Sequence, residues 1–417
     1  MKVERPKLLI YAHYYIPDVA STGQILKELA EGMLQVFDIT VICVVPSYTG
    51  KIEEKYKAKK YFREEINGVK IVRVGVPEFS KASKSSRIRN IITYFFRAMF
   101  ATFKVGKKDY IFSISQPPIL GGLLGVWGKW VKRAKFIYNI QDFNPEQIMA
   151  VGYSNNKIAL KIMMAFDKFT CCQSDKVIVV GRDMVETLKG RFNHRNVPTN
   201  VFINNWIDEE EIYPLPSDNE KIKAFKRQYD LENKFVIMYS GNIGLYYDLI
   251  NLFGVIKEFK DRDDVVFAFV GEGTVKDELI SIKDKNNLDN VRFIPYQDKE
   301  DLIYSLNAGD VHWCINAKGI KGVSVPSKLY GIIAAGKPVL GVLEENSEGR
   351  LIIEETNCGY LIKPGNYEEI KFIIERLISD NKTISLSQMG ESGRSYLTIN
   401  LTRDISINKY MKEILNT

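Results

Sequence analysis

Short apolar runs bounded by turn residues recur along this chain, and between them apolar residues return every third or fourth position. Leu8 to Tyr15 reads as a buried strand, and Ser21, Thr22 and Gly23 open an amphipathic helix carrying Ile25, Leu26, Leu29, Met33 and Leu34. Phe37 to Pro46 is a second buried strand, so the order strand, helix, strand predicts an α/β chain with a doubly wound parallel sheet. A hairpin or edge excursion is expected around Gly68. Asp109 to Ser115, Lys135 to Gln141, Lys176 to Gly181 and Val201 to Asp208 continue the strand series. Pro214, Pro216, Ser217 and Asn219 then break the pattern, and a first domain is expected over 1–215. Phe235 to Gly241, Val265 to Gly271, Val291 to Pro295, Val311 to Ile315, Val339 to Leu343 and Gly359 to Ile362 repeat the theme, which predicts a second doubly wound domain over 216–395 and a cleft between the two.

Two stretches stand out from this background. Gly322 to Leu340, GVSVPSKLYGIIAAGKPVL, reads as a short helix from about Ser327 to Ala335, with Ser327 accepting a hydrogen bond from the first free N–H groups and Gly336 as the stop. A loop that ends on a helix N-terminus presents unpaired N–H groups to an anion, and Lys328 adds a full charge. From Arg87 to Phe103, Ile88, Ile91, Ile92, Phe95, Phe96, Met99, Phe100 and Phe103 fall at helical spacing. This helix either faces a core or lies in a membrane interface with its rings among acyl chains.

Length and composition narrow the choices. The chain has 417 residues, 45% apolar and 26% charged, which suits a globular protein of two domains. Its formal charge of +7 is modest, yet Lys81, Lys84, Arg87, Arg89, Arg97, Lys104, Lys107 and Lys108 crowd around the aromatic helix, a combination that fits a lipid surface better than nucleic acid. No apolar run is long enough to span a bilayer. The five cysteines have no metal-ligand spacing, and the start of the chain has no signal-peptide pattern, so a cytoplasmic location is expected. A dinucleotide-dehydrogenase reading fails because no G-x-G-x-x-G follows the first strand.

The series YSGNIG, FVGEGTVKDEL, VRFIPYQ, AGDVHW, VPSKLYGIIAAGKPVL and GYLIKPGN, with Ser347-Glu348 beyond it, resembles the donor half of retaining GT-B glycosyltransferases of family four, in a branch carrying PSKLY. In the first half, YIPDVASTGQILKELAEGM, QDFNPE and VFINNWID resemble that family's acceptor-side segments. The resemblance implies two Rossmann-like domains, a last helix within 396–417 crossing back to the first domain, and transfer of a sugar, an N-acetylated hexose, from a UDP-sugar to a polyprenyl-diphosphate-linked saccharide at the inner membrane face. It implies a donor site at Gly241, Asn242, Gly244, Lys276, Tyr296, Pro326, Ser327, Leu329 and Glu348, with Lys328 as counter-charge to the diphosphate. It implies acceptor contacts at His13, Ser21, Thr22, Gly23 and Glu146, with Asp142 orienting the acceptor hydroxyl. No metal or cofactor is expected, since protein cations and N–H dipoles would stabilise the departing diphosphate.

Three departures from the family pattern stand out. Gly331 and Val323 stand where many relatives have glutamates, GNIGLYYDLI lacks the usual Arg and Lys, and Gln141 replaces a His. Lys276, Lys328 and Lys321 are the candidate replacement cations. Two other readings remain: a UDP-sugar epimerase of the same architecture, and a non-catalytic nucleotide-sugar-binding assembly subunit.

Overall fold

A computed structural model of the chain describes residues 4–18, 21–80, 83–154, 156–380 and 383–417. Strands β1 (Lys7–Tyr11), β2 (Asp38–Val44), β3 (Tyr61–Ile66), β4 (Val69–Val74), β5 (Tyr110–Ile114), β6 (Lys135–Ile140), β7 (Lys176–Val179) and β8 (Asn200–Phe202) form one sheet in the order β3-β4-β2-β1-β5-β6-β7-β8. All neighbours are parallel except β3 and β4, whose hairpin around Asn67 and Gly68 closes the edge. Strands β9 (Phe235–Ser240), β10 (Val265–Val270), β11 (Val291–Ile294), β12 (Val311–Ile315), β13 (Val339–Val342) and β14 (Gly359–Ile362) form a second, wholly parallel sheet in the order β11-β10-β9-β12-β13-β14. The chain therefore builds the two doubly wound units its apolar rhythm predicts. In each sheet the order reverses beside the first strand, β1 or β9, and the carboxyl ends there open a crevice of the kind in which α/β proteins bind ligands.

Some boundaries differ from expectation. The first strand ends at Tyr11, and the strand expected over Val201 to Asp208 pairs only as far as Phe202, because β8 lies at the sheet edge with one neighbour. The short helix after Pro326 runs Lys328–Ala334, and Ser327 makes no side-chain capping bond there because it already has helical backbone angles.

Apolar packing and the last helix both help to tie the domains together. Val325 and Leu329 of the second unit join Val180 and Met184 of the first in one buried apolar cluster. The helix Arg403–Leu415 returns to the first sheet, where Ile407, Tyr410, Met411 and Ile414 pack with Phe112, Ile137 and Ile178.

The aromatic helix spans Lys84–Lys104 and is capped by Ser83 Oγ, which accepts the Ser86 N–H. Asn90, Tyr94, Ala98, Ala101 and Thr102 face the protein. Ile88, Ile92, Phe96, Phe100 and Phe103 face outward. Small and polar residues thus supply the packed side while most of the large rings lie on the solvent side, the reverse of a core-facing helix. Among the described residues no helix is long and apolar enough to cross a membrane.

Candidate active site

The carboxyl ends of β1, β5 and β6 enclose a cavity of about 180 Å³ lined by His13, Tyr14, Arg87, Gln116, Asp142 and Asn144, among others. His13 follows β1 and is buried; its Nε2 has no hydrogen-bond partner, and burial pushes its pKa down to about 3, so the ring is neutral at physiological pH. Thr22 Oγ1 donates to Gln116 Oε1 at 2.9 Å, which ties the first helix to this wall. Gly23 lies against the Tyr14 and Asp18 carbonyls, where even a Cβ would be tight at 3.3 and 3.4 Å. The Ser21 side chain lies outside the described residues, as does Lys81.

Asp142 stands just past β6, at the mouth of the cleft. Burial pushes its carboxyl pKa up, and hydrogen bonds from Ser324, Gln116 and Gln147 hold it back. It forms an antiparallel bridge with Ser324 of the second domain, and the next N–H, of Phe143, donates to Val323 O at 2.9 Å. The loop leading into PSKLY therefore lies along the end of the first domain's strand. Gln141, at the family's His position, points elsewhere: its amide joins Asn139 at 2.6 Å and Asn205 at 2.8 Å, and Asn139 reaches Tyr410 OH at 3.1 Å.

On the facing side the ammonium of Lys328 is enclosed by two tyrosines. Its Nζ lies 3.6 Å from the ring centre of Tyr247 and 4.2 Å from that of Tyr239, and it donates to Tyr239 OH at 2.8 Å. Burial pushes its pKa down to about 7, whereas the two ring faces favour the charged form. Lys328 as a whole is half-buried. Tyr246 and Tyr247 have hydroxyl pKa values raised first by burial and then by the negative charge of Asp142. The two residues expected to carry chemistry thus share one tyrosine, Tyr247, from opposite sides of the cleft.

The glycine turns after β9 and β10 pack backbone against backbone. Gly241 and Gly271 have φ of +141° and +139°, and a Cβ on Gly271 would lie 2.0 Å from Gly241 O. This contact uses groups expected to face a diphosphate, since the N–H of Gly241 donates to Val270 O and that of Ile243 to Glu272 O, both at 2.9 Å. The Asn242 carbonyl accepts from Tyr239 OH at 2.6 Å, and the Asn242 amide side chain lies against Gly244.

Other expected site residues have partners of their own. Lys276 Nζ donates to Gly271 O at 3.1 Å and to Glu272 at 2.7 Å, so it braces its own turn. Leu329 is a core residue whose N–H bonds to Pro326 O at 3.1 Å, and Pro326 packs on the Gly349 turn. Ser327 and Tyr296 are exposed, and Tyr296 is near enough to Tyr48 of the first domain for charge on one to be felt by the other. Glu348 is buried and accepts the Arg182 backbone N–H at 2.8 Å and side-chain Nε at 2.9 Å. In this arrangement it joins the domains instead of facing an open sugar pocket. Glu146 is likewise taken by Arg191, whose Nε donates to it at 2.6 Å. Arg182, Arg191, Tyr247 and Gln116 escaped the sequence reading, although Gln116 and Tyr247 stand in the loops past β5 and β9, where ligands collect.

Residues 220–396, somewhat under half of the chain, match the family model described as "Glycosyl transferases group 1". The second domain is similar to the group 1 glycosyltransferases. The chain is 26% identical over 338 residues to a probable glycosyltransferase, WbjE, of Pseudomonas aeruginosa, covering 80% of this chain and 82% of that protein. It is 23% identical over 419 residues to WcaI of Escherichia coli (strain K12), a putative colanic acid biosynthesis glycosyl transferase, covering 98% and 99% of the two. Its fold is similar to that of Anabaena Alr3699/HepE in complex with UDP and glucose, with a TM-score of 0.70 at 14% identity over 99% of this chain and 100% of that one. The two-domain architecture is GT-B.

Proposed function

We propose that this protein is a retaining, metal-independent glycosyltransferase. It moves a sugar, an N-acetylated hexose, from a UDP-sugar to a polyprenyl-diphosphate-linked saccharide at the cytoplasmic face of the inner membrane, in the synthesis of a bacterial surface polysaccharide. One observation carries this reading: Asp142 and Lys328 reach the same cleft from separate domains and share Tyr247 as a neighbour. The family match and the two curated relatives support transfer of a glycosyl group. The UDP held by a protein of similar fold supports the donor class.

As the bond between sugar and diphosphate breaks, negative charge grows on the departing oxygen. An ammonium already positioned beside it lowers the barrier without reorganisation of solvent. Lys328 fits that role because its resting pKa is near 7 and an arriving diphosphate would favour its protonated form. The departing oxygen takes the acceptor proton, and Asp142 orients the acceptor hydroxyl from the cavity that also holds His13. The neutral His13 ring lines that cavity.

The test is UDP release from UDP-N-acetylhexoses in the presence of a lipid-linked acceptor, with and without EDTA. Lys328→Ala is expected to lower turnover on the order of a hundredfold. Unchanged kinetics would remove Lys328 from the mechanism. Absence of any stabilisation by UDP, GDP, ADP or CMP in thermal melts would refute the donor site itself.

A further inference from the structure

At the amino ends of β5 and β6, the side of the first sheet away from the cleft, an open hollow of about 710 Å³ is lined by Lys107, Lys108, Lys129, Arg133 and Lys135 against two carboxylates, Asp109 and Asp175. Lys129 and Lys135 share Asp175 at 2.8 and 3.6 Å, and Lys107 approaches Asp109 only to 3.9 Å. Arg133 has no carboxylate partner among the described residues. Lys108 is buried, and its Nζ donates to Thr40 Oγ1 at 2.6 Å. The hollow thus carries an excess of cations within a concave surface of phosphate dimensions or larger.

The walls continue into apolar surface. Trp130, which lines the hollow, is 55% exposed and meets Phe169 edge to face at 6.3 Å. Three neighbouring helices end at this place: Lys84–Lys104, Leu120–Lys132 and Lys157–Gln173. Their outer faces expose Phe96, Phe100, Phe103, Ile158, Ile162 and Phe166. Asp167 is their one acidic residue, and it is buried on Arg191. Helix faces with many rings and no exposed carboxylate, flanked by a hollow in which cations outnumber the two carboxylates, suit the headgroup and acyl boundary of an anionic bilayer.

We infer that the hollow seats the phosphodiester headgroup of an anionic membrane lipid while the rings of the three helices enter the acyl boundary beside it. This extends the membrane location proposed above and rests on it. The seat lies at the lower end of the aromatic helix, whereas Arg87 and Ile91, near its upper end, line the Asp142 cavity. About 30 Å of helix separate the ends. A lipid held below would set how the cleft lies against the bilayer that holds the acceptor.

The test compares binding of the whole chain to phosphatidylcholine vesicles with and without phosphatidylglycerol. The variants are Lys107→Glu with Arg133→Glu, and Phe96→Ser with Phe100→Ser, each checked for an unchanged melting temperature and UDP response. The charge variant should bind phosphatidylglycerol vesicles at least about thirtyfold more weakly, from about one kcal/mol for each of the two cations lost, and should treat neutral vesicles as wild type does. Wild-type binding by the charge variant, with binding lost in the ring variant, would sink the headgroup seat and leave the membrane location standing. A wild-type chain that binds neither vesicle would overturn both. Stabilisation by inorganic phosphate that depends on Lys107 and Arg133, without an effect of these residues on vesicle binding, would identify a free anion as the ligand and overturn the lipid assignment.

Discussion

Replacing Arg191 with Met tests the support beneath Asp142. The Arg191 guanidinium is buried; it pairs with Asp167 and Glu146, donates to Asn144 O at 2.9 Å and lies 4.2 Å from the centre of the Phe143 ring. Asp167, itself buried, has one other partner, Tyr138 OH at 2.7 Å. Methionine preserves much of the packing but leaves a carboxylate in the interior with a single hydrogen bond. Removing one partner of such a buried pair costs about 3–5 kcal/mol. For a domain near 200 residues each kcal/mol lowers Tm by about 2–4 °C, so a fall on the order of 10 °C is expected in calorimetry or denaturant melts. The pH dependence has a defined sign. Burial already pushes Asp167 up, and loss of Arg191 pushes it further. A carboxyl whose folded pKa lies above its unfolded value destabilises most above the folded pKa, so the deficit of the variant should shrink as pH falls through that value. Asp167→Asn added to Arg191→Met should recover a large part of the loss. A loss below about 1 kcal/mol, or no recovery in the double variant, would refute the reasoning. Turnover should fall as well, because Arg191 anchors both Asn144 and Glu146 in the loop that carries Asp142.

Three further outcomes follow from named contacts. Lys328 has a pKa of about 7 in the free protein, and a bound diphosphate would raise it. UDP affinity should therefore drop by up to tenfold per unit as pH rises above 7, with proton uptake visible in calorimetry, and Lys328→Met should abolish this slope. Glu348→Ala removes the buried partner of Arg182 between the domains; small-angle scattering should show a larger radius of gyration, and unchanged dimensions would mean that the Arg182–Glu355 pair, the Asp142–Ser324 bridge and the apolar contact suffice to hold the domains together. Phe96→Ser with Phe100→Ser removes rings that are 53% and 61% exposed, so Tm should move by less than about 2 °C while vesicle binding falls.

The sheet architecture was legible because buried parallel strands read as continuous apolar runs, here Phe235 to Tyr239 and Val265 to Val270, separated by helices with a period near 3.6. The positions of Asp142 and Lys328 were legible for the same reason, as each follows a recognisable strand or glycine turn. Partner choice was not. Nothing in the sequence around Glu348 or Glu146 says that Arg182 or Arg191 occupies it, since both pairs close over long separations in sequence. Neither did periodicity show which face of Lys84–Lys104 turns inward. Ala98, Ala101 and Thr102 win that face because small residues let the helix approach the sheet, where Thr102 meets Tyr11 OH at 2.6 Å.

The missing family glutamate at Gly331 has a physical account. A Cβ at Gly331 would lie 3.4 Å from Ile207 Cδ1 and 3.5 Å from Leu306 Cδ1, both parts of an apolar wall, and Gly331 itself is buried in the short helix after Pro326. The space into which a longer side chain would grow is occupied by hydrocarbon. Gly331→Glu would drive a carboxylate into that wall, at a cost of at least about 2 kcal/mol. It should lower Tm and leave UDP affinity unimproved. If instead Gly331→Glu tightened UDP, the ribose would have to lie on this side of the helix, and Ile207 and Leu306 would have to yield to it. If affinity stays flat while stability falls, donor recognition in this chain rests on Lys328 and the turn after β9 without a carboxylate at the ribose.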